Sequence, residues 1–340
     1  MEGSQPRILF VLADEEQTKA AASLGVLRRT MMLGSDLREL INPKSYHLLI
    51  VSRHNLRQIS QLSLAPFSVI ANLVTEAVKN REILDNIRKV LRNTSARVLN
   101  PPDAVLSTTR EKVARSLVGI DNLIAPPTVR LDRNASPASA VQLLTGAGMT
   151  PPVILRRSGT HRGKSIVTFD SIDAAAGALE PEQEHIATQF VDFRSADGFY
   201  RKYRVYFIGS RIILRHMLVS DHWNVHAADR QRFMVPRPEL VAEERALFEA
   251  SEPFPPAVGE ALRAVRARMP LDFFGMDFGI RDDGTVVLFE ANATMSFFPF
   301  SADPRFDYLL NAFEPAQKAF RELLGLPPAA AAPKRLARTA

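Results

Sequence analysis

Short runs of apolar residues alternate with helix-like segments in the first hundred residues. Residues 7–14 (RILFVLAD), 46–53 (YHLLIVSR) and 67–74 (FSVIANLV) are aliphatic or β-branched, and residues 75–93 have helical spacing. Apolar strands that alternate with helices are typical of a parallel sheet covered on both faces. The pattern predicts an N-terminal α/β domain over residues 1–100.

After residue 100 the strands are predicted to pair in hairpins. A strand is expected from Val153 to Arg157, and another within residues 184–193. A hairpin is expected over residues 202–220, with a two-residue turn at Gly209 and Ser210. This part of the chain is therefore predicted to have an α+β fold.

Two later segments have the apolar spacing of helices, residues 256–269 and 308–325. The Ala/Pro-rich segment at residues 326–340 is predicted to be a disordered tail, because it holds too few large apolar residues to form a core.

Two apolar strands near the C-terminus, in residues 273–280 and 286–292, each carry an acid. Asp283-Gly284 between them is a strong turn signal. A two-residue turn pairs Asp277 with Glu290, Phe278 with Phe289, Ile280 with Val287, and Gly275 with Asn292. A three-residue loop would shift this register by one and lose the facing acids.

Facing carboxylates destabilise a hairpin unless something neutralises them. Mg²⁺ takes oxygen ligands and is commonly held by one or two carboxylates together with substrate phosphates. Asn292 lies on the same face as Glu290 and adds an amide oxygen, while Gly275 leaves space opposite it. The alternative is a polar sheet face on which each acid pairs with an arginine.

The segment RRSGTHRGKS at residues 156–165 is basic and rich in glycine. It is one residue short of a P-loop, and a β-rich stretch follows it where a P-loop requires a helix. The composition favours a loop between strands whose backbone N–H groups approach phosphate oxygens, with Arg and Lys as counter-charges. The alternative is a solvated basic turn.

Composition narrows the classes of function. The chain has no cysteine, which excludes disulfides and thiolate metal sites, and its net charge is +6. Three of these charges lie in the tail, at Lys334, Arg335 and Arg338, and aromatic residues do not interleave with basic ones, which argues against nucleic acid as a partner. With no signal peptide and no membrane helix recognised in the sequence, we expect a cytoplasmic protein.

The order of these motifs resembles the ATP-grasp superfamily, on the branch of glutathione synthetase and the RimK-like ligases. The closest resemblance is to bacterial ATP-grasp domains that are often fused to tetratricopeptide repeats. The similarity spans residues 100–295, from NPPDAVLSTTREKVARSL through VILRRSGTHRGKS and TQFVDFRSADGFYRKYRVYFIGSRIILRHM to FFGMDFGIRDDGTVVLFEANATM. It implies a parallel-sheet pre-ATP-grasp domain (1–100), a small ATP-grasp subdomain with a phosphate lid (101–187) and a C-terminal subdomain with the Mg²⁺ and ATP site (188–325).

The resemblance also implies roles for individual residues. Mg²⁺ would be held by Asp277, Glu290 and Asn292. ATP would contact Arg156, Ser158, Gly159, Thr160, His161, Gly163, Gln189, Phe190 and Val191, where Arg156 replaces the usual lysine and Gln189 the frequent glutamate. Lys112 is a further candidate for ATP binding, and the alternative is an ordinary lysine on a helix surface. The catalytic set would be Arg204, Lys202, Asn224 and His226; strand alternation independently puts Lys202 and Arg204 on one face, with Arg201 on the other and solvated.

The implied reaction is ATP-dependent ligation of a carboxylate to an amine. The acid would attack the γ-phosphate of ATP, and the acylphosphate would react with the amine to form an amide or peptide bond, releasing ADP and phosphate. The partners would be a small-molecule carboxylate and amine or a peptide, and a homodimer is left open. Alternatives are a ligase or kinase-like phosphotransferase acting on a peptide or protein, and a degenerate nucleotide-binding module without turnover.

Overall fold

The computed structural model describes residues 6–13, 36–52, 55–159 and 166–329. Its strands are β1 (Ile8–Ala13), β2 (Tyr46–Val51), β3 (Val69–Asn72), β4 (Arg97–Leu99), β5 (Leu123–Ile124), β6 (Thr128–Leu131), β7 (Val153–Arg157), β8 (Ile166–Phe169), β9 (His185–Gln189), β10 (Tyr200–Ile208), β11 (Arg211–Ser220), β12 (Phe273–Ile280) and β13 (Val286–Asn292). Its α-helices are α1 (Leu56–Ile59), α2 (Arg81–Leu91), α3 (Pro102–Leu106), α4 (Arg110–Ser116), α5 (Pro137–Gly146), α6 (Ile172–Gly177), α7 (Pro238–Glu249), α8 (Pro256–Arg268) and α9 (Phe313–Leu324). Within these ranges no helix is long and apolar enough to cross a membrane.

The first sheet is parallel, with strand order β2-β1-β3-β4, and contains the three strands predicted from the apolar runs. Its central strand β1 is apolar on both faces because each face packs against a different core: Leu9 and Val11 lie in one, Ile8 and Phe10 in the other. The amphipathic helix α2 covers the first of these faces. The α/β prediction for this region is confirmed.

The second sheet, in the order β11-β10-β12-β13-β5, is antiparallel except for the last pair. The predicted turn at Gly209 and Ser210 is confirmed, since Ile208 pairs with Arg211. Helix α8 and helix α9 add their apolar residues to the two cores that contain the buried phenylalanines of β12. Both cores also contain residues of the first sheet, so the two sheets form one packed body.

The β12–β13 hairpin corrects the predicted turn. Arg281 and Thr285 bond across a three-residue loop in which Gly284 has φ of +82°, so the strands next to it are one residue out of the predicted register: Ile280 pairs with Val286 and Phe278 with Leu288. The predicted pairs Ile280–Val287 and Phe278–Phe289 are wrong, because a glycine in the left-handed region favours the longer loop.

A β-bulge at Phe289 cancels this shift. The extra residue packs its ring against Phe193, with ring centroids 4.6 Å apart. Beyond the bulge, Asp277 pairs with Glu290 and Gly275 with Asn292. The two acids therefore face each other as predicted, although the turn that was expected to place them there does not exist.

The third sheet, in the order β6-β9-β7-β8, is antiparallel and contains the strands expected at residues 153–157 and within 184–193. It packs against α5 and α6 around a small core of its own, which shares no residue with the other two. A mixed fold with a parallel sheet followed by two largely antiparallel ones matches the predicted fold class. The boundaries at residues 100, 187 and 325 remain predictions, and the tail prediction beyond residue 329 lies outside the described residues.

Candidate active site

A cleft of about 980 Å³ lies where the three sheets meet. The carboxyl ends of β1 and β3 form one wall, β7 and β9 of the third sheet form a second, and β10, β12 and β13 form the floor. Of the residues predicted from the sequence, the cleft is lined by Arg156, Gln189, Phe190, Val191, Lys202, Arg204, Asn224, His226, Asp277, Glu290 and Asn292.

Asp277 on β12 is held by Arg204 on the neighbouring strand β10. Nε of Arg204 donates to Oδ1 at 2.6 Å and Nη2 donates to Oδ2 at 2.8 Å, a bidentate geometry. Burial raises the pKa of Asp277, but the charge and hydrogen bonds of Arg204 outweigh it, so its pKa lies below the ordinary value. Asp277 is therefore ionised although only 7% of it is exposed.

Glu290 on β13 has a similar partner. Its Oε2 forms an ion pair with Nη2 of Arg110, which reaches it from the first turn of α4 and also donates to the carbonyl of Phe289 at 3.2 Å. The side-chain amide of Asn292 donates to Oε1 of Glu290 at 2.7 Å, while its oxygen accepts from the backbone of Thr294 at 2.8 Å. The facing carboxylates are thus neutralised by two arginines from different elements, Arg204 on β10 and Arg110 on α4.

The donor set has the chemistry that Mg²⁺ prefers, namely two carboxylates and an amide oxygen on one sheet face. Within the described residues no group of three or more His, Cys, Asp or Glu side chains forms a site by itself. Two carboxylates completed by substrate phosphates still suffice for this cation. The residues fit a Mg²⁺ ion once Arg110 and Arg204 release the oxygens that they occupy.

Lys202 lies beside this pair on β10. Its Nζ donates to the carbonyl of Val225 at 2.5 Å and is 3.9 Å from Oδ2 of Asp277. Burial lowers the pKa of Lys202, against the opposing effect of Asp277. The bond to Val225 fixes the loop that carries Asn224 and His226 over the floor of the cleft. Burial also lowers the pKa of His226, with the charge of Lys202 adding to the effect.

Arg156 at the end of β7 brings a further cation to the cleft. Burial lowers its pKa to about 10, and the neighbouring charge of Arg110 lowers it in the same direction. Arg110, Arg156, Lys202 and Arg204 are four cations against the two carboxylates of Asp277 and Glu290, so this part of the cleft carries a net positive charge, which suits a polyphosphate.

The segment 189–191, expected to bind the adenine base, lies between the third sheet and the floor. The side-chain oxygen of Gln189 accepts from the backbone of Thr150 at 3.0 Å, so its amide is engaged within the protein. The backbone N–H groups of Gln189 and Phe190 donate to Pro127 and Pro152. The Gln189 side chain therefore binds the backbone at Thr150, a contact that the amino-acid sequence does not indicate.

Phe190 is an aromatic wall of the cleft. Its ring meets Trp223 edge-on, with centroids 5.5 Å apart. Trp223 is the only tryptophan in the chain, and it lines the cleft beside Asn224.

Ser158 and Gly159 line a smaller cavity of about 90 Å³ next to the cleft, together with Arg110, Arg156 and Glu290. The hydroxyl of Ser158 accepts from Arg130 at 3.2 Å, and Gly159 has φ of +74°. Thr160, His161 and Gly163 lie outside the described residues, as do Arg162 and Lys164.

Three sequence expectations need correction. Lys112 is exposed on α4 and donates to the carbonyl of Leu106 at 3.0 Å, so it does not reach the cleft. Arg201 is not solvated, since its guanidinium pairs with Asp197 and Glu243 on the far side of the sheet. The space predicted at Gly275 is filled as well: a Cβ there would lie 2.6 Å from the Cβ of Met295.

Arg110 and Glu76 line the cleft but were not predicted as site residues from the sequence. Residues two apart on a helix do not share a face, so only one of Arg110 and Lys112 can point to the cleft, and the sequence does not say which. Glu76 follows β3, lines both cavities and has φ of +61°, while its backbone N–H donates to the Thr294 hydroxyl at 3.1 Å. A non-glycine residue in this conformation has no sequence signal.

No family model matches the chain, and no curated protein matches it. Solved structures do share its fold. The VanG D-Ala:D-Ser ligase from Enterococcus faecalis superimposes with a TM-score of 0.52 at 14% identity, over 95% of this chain and 99% of that one. The D-alanine–D-alanine ligase from Bacillus anthracis gives 0.53 at 9% identity, over 94% and 97%. N5-carboxyaminoimidazole ribonucleotide synthetase, solved as its ADP complex, gives 0.51 at 12% identity, over 95% and 78%.

The chain thus has the fold of the ATP-grasp ligases, as the sequence resemblance predicted. Identities this low establish the fold and leave the activity to be argued from the site. The link to the branch fused to tetratricopeptide repeats stays a prediction.

Proposed function

We propose that this protein is an ATP-dependent carboxylate–amine ligase that forms an amide or peptide bond through an acylphosphate, releasing ADP and phosphate. One observation carries the proposal: the facing pair Asp277 and Glu290 lies among four cationic side chains in the cleft where the three sheets meet. In an ATP-grasp fold, this is where a nucleotide and its metal would be held.

Asp277, Glu290 and Asn292 would hold Mg²⁺, which supplies charge neutralisation on the ATP phosphates. Arg156 and Arg110 would contact the phosphates from the walls. The base would lie against Phe190 and Trp223. Since Gln189 and Phe190 use their backbone N–H groups internally, we assign recognition of the base to the backbone of Val191.

Arg204 and Lys202 would face the group that is transferred. A phosphoryl group that moves from ATP to a carboxylate spreads charge over its oxygens, and fixed cations in a water-poor site stabilise that charge. Arg204 is suited to this role because it lies on the floor of the cleft, directly opposite Asp277 on the neighbouring strand. Neither residue acts as a nucleophile, so the acyl group would be activated on the substrate itself.

The acid and the amine would bind where the cleft reaches the first sheet. In open α/β sheets, ligands bind outside the carboxyl ends of the strands. This end presents Leu12, Ala13, Leu73, Val74 and Glu76. Asp36 and Lys79 also line this end, so both signs of charge lie among the apolar contacts, which is consistent with a small acid and an amine or with a peptide end.

The test is to supply pooled acids and amines with MgATP and to identify the nucleotide product. The proposal expects ADP and phosphate, and a hydroxamate when hydroxylamine replaces the amine. AMP and pyrophosphate would overturn it, because they indicate adenylation. ADP formed with a phosphorylated, hydroxylamine-stable product would favour the kinase-like alternative, and ATP binding with no product under any condition would favour the degenerate module.

A further inference from the structure

His216 on β11 carries the one buried side-chain polar atom without a hydrogen-bond partner among the described residues, its Nε2. The residue as a whole is half-buried, but this nitrogen is not accessible. A buried polar nitrogen without a partner costs stability, and such a group in a native structure calls for an explanation.

The strand registers place His216 in the same row as the site. His216 pairs with Arg204, Arg204 pairs with Asp277, and Asp277 pairs with Glu290, across four adjacent strands. Directly paired residues project from the same face with Cβ atoms roughly 5 Å apart. Arg204 therefore stands between an acid that it already binds and an imidazole nitrogen that nothing binds.

A divalent ion bound to Asp277 would compete with Arg204 for the carboxylate, to which Arg204 makes two hydrogen bonds, and would repel the guanidinium charge. A guanidinium so displaced needs a new acceptor, since an unpaired charge in a buried place is costly. Of the other groups near it, Glu290 is the second carboxylate assigned to the metal and the Tyr206 hydroxyl donates to the carbonyl of Met295. Lys202 on the same strand and Arg215 are cations themselves.

Resting on the proposed function, we propose that His216 is the positioning residue for Arg204: its Nε2 accepts the guanidinium when Asp277 turns to the metal. This second position keeps Arg204 on the floor of the cleft, facing the transferring phosphoryl group. The imidazole must be neutral for this. Burial, reinforced by the charges of Arg204, Arg215, Arg230 and Lys202, holds the pKa of His216 well below its ordinary value.

The experiment measures Mn²⁺ binding to the full chain without nucleotide, from the loss of the free-ion EPR signal. His216→Phe removes the acceptor at similar volume, and His216→Gln keeps an acceptor oxygen. We expect His216→Phe to weaken Mn²⁺ binding by about tenfold or more, the value of a hydrogen bond to a charged group. We expect His216→Gln to restore most of it. Without metal, His216→Phe should unfold at no lower urea concentration than the wild type, since it removes an unpaired acceptor.

A second measurement tests whether His216 acts through Arg204. In protein labelled with ¹⁵N-histidine, the Nε2 resonance that is missing in His216→Gln should move on adding Mg²⁺ to the wild type. In Arg204→Met the same resonance should not move on adding Mg²⁺. Combining His216→Phe with Arg204→Met should lower Mn²⁺ affinity no further than Arg204→Met alone.

The outcomes separate two failures. A wild type that binds no Mn²⁺ overturns the metal assignment of the proposed function, and the inference with it. Equal affinity in the wild type and His216→Phe, or failure of His216→Gln to restore affinity, overturns the inference alone. If His216→Phe does not fold, the test uses the wild-type Nε2 resonance, assigned by its absence in His216→Gln. A resonance that does not move on adding Mg²⁺ overturns the inference.

Discussion

Arg204 and Asp277 face each other across β10 and β12 and share two hydrogen bonds, at 2.6 and 2.8 Å. One strand further along, Glu290 is also paired with an arginine, Arg110 from α4. Both carboxylates assigned to the metal are therefore neutralised by arginine. On the proposed metal assignment, loading of the site would be an exchange of partners in which the metal competes with two guanidinium groups for the carboxylates.

This exchange predicts different stabilities for two variants that should be equally inactive. Asp277→Asn leaves Arg204 largely buried without its partner, which should lower the free energy of unfolding by about 3 kcal/mol. Glu290→Gln breaks a more exposed pair and should cost about 1 kcal/mol or less. Urea denaturation measures the difference, and ADP release should show that Mg²⁺-dependent turnover is lost in both. Normal turnover in either variant would contradict the assignment of Asp277 and Glu290 as metal ligands.

Arg110 should compete with the metal for Glu290. Arg110→Gln is expected to strengthen Mn²⁺ binding without nucleotide by up to about fivefold, since a partly exposed ion pair is worth up to ~1 kcal/mol. Lys112→Gln, two residues along the same helix and exposed, is the matched control and should leave Mn²⁺ affinity unchanged. An equal effect of both substitutions would mean that general charge, and not the contact with Glu290, sets the affinity.

Arg204 should matter far more for turnover than for binding of ATP. Arg204→Met is expected to lower the maximal rate by roughly 100- to 1000-fold, because it deletes a cation aimed at charge that develops in the transition state. Arg211→Met, on the exposed start of β11, is the control and should retain the wild-type rate. Loss of ATP affinity at an unchanged maximal rate would assign Arg204 to ground-state binding.

The buried neutral His216 should make stability depend on pH. Its folded pKa lies well below 6.5 because of burial and of the cations that face it, Lys202 and Arg204 from β10, Arg215 from β11 and Arg230 from the segment Arg230–Met234. Below about pH 6.5 the unfolded chain binds a proton that the folded chain does not, so the stabilising contribution is present above that pH and is lost as the pH falls.

The expected size is at most about 1.4 kcal/mol per pH unit between pH 6.5 and the lowered folded pKa. Urea unfolding of the wild type and His216→Gln at pH 7.5 and 5.5 measures it, since the other six histidines are common to both chains. The same pH dependence in the two proteins would show that His216 titrates normally.

The sequence by itself determined the elements and the faces on which residues lie. Apolar runs identified the strands of the first sheet, and alternation put Lys202 and Arg204 on one face. These features follow from the period of a strand, which is local and needs no knowledge of distant residues.

Only the tertiary structure decided which side chains meet. Phe193 packs against Phe289 at the bulge that restores the facing acids, and α4 docks so that Arg110 rather than Lys112 reaches Glu290. The backbone N–H of Thr150 donates to the side-chain oxygen of Gln189, whose amide was expected to contact the adenine base. Each of these contacts joins residues far apart in the chain, so their outcome depends on how sheets and helices pack, and a local pattern of residues does not encode it.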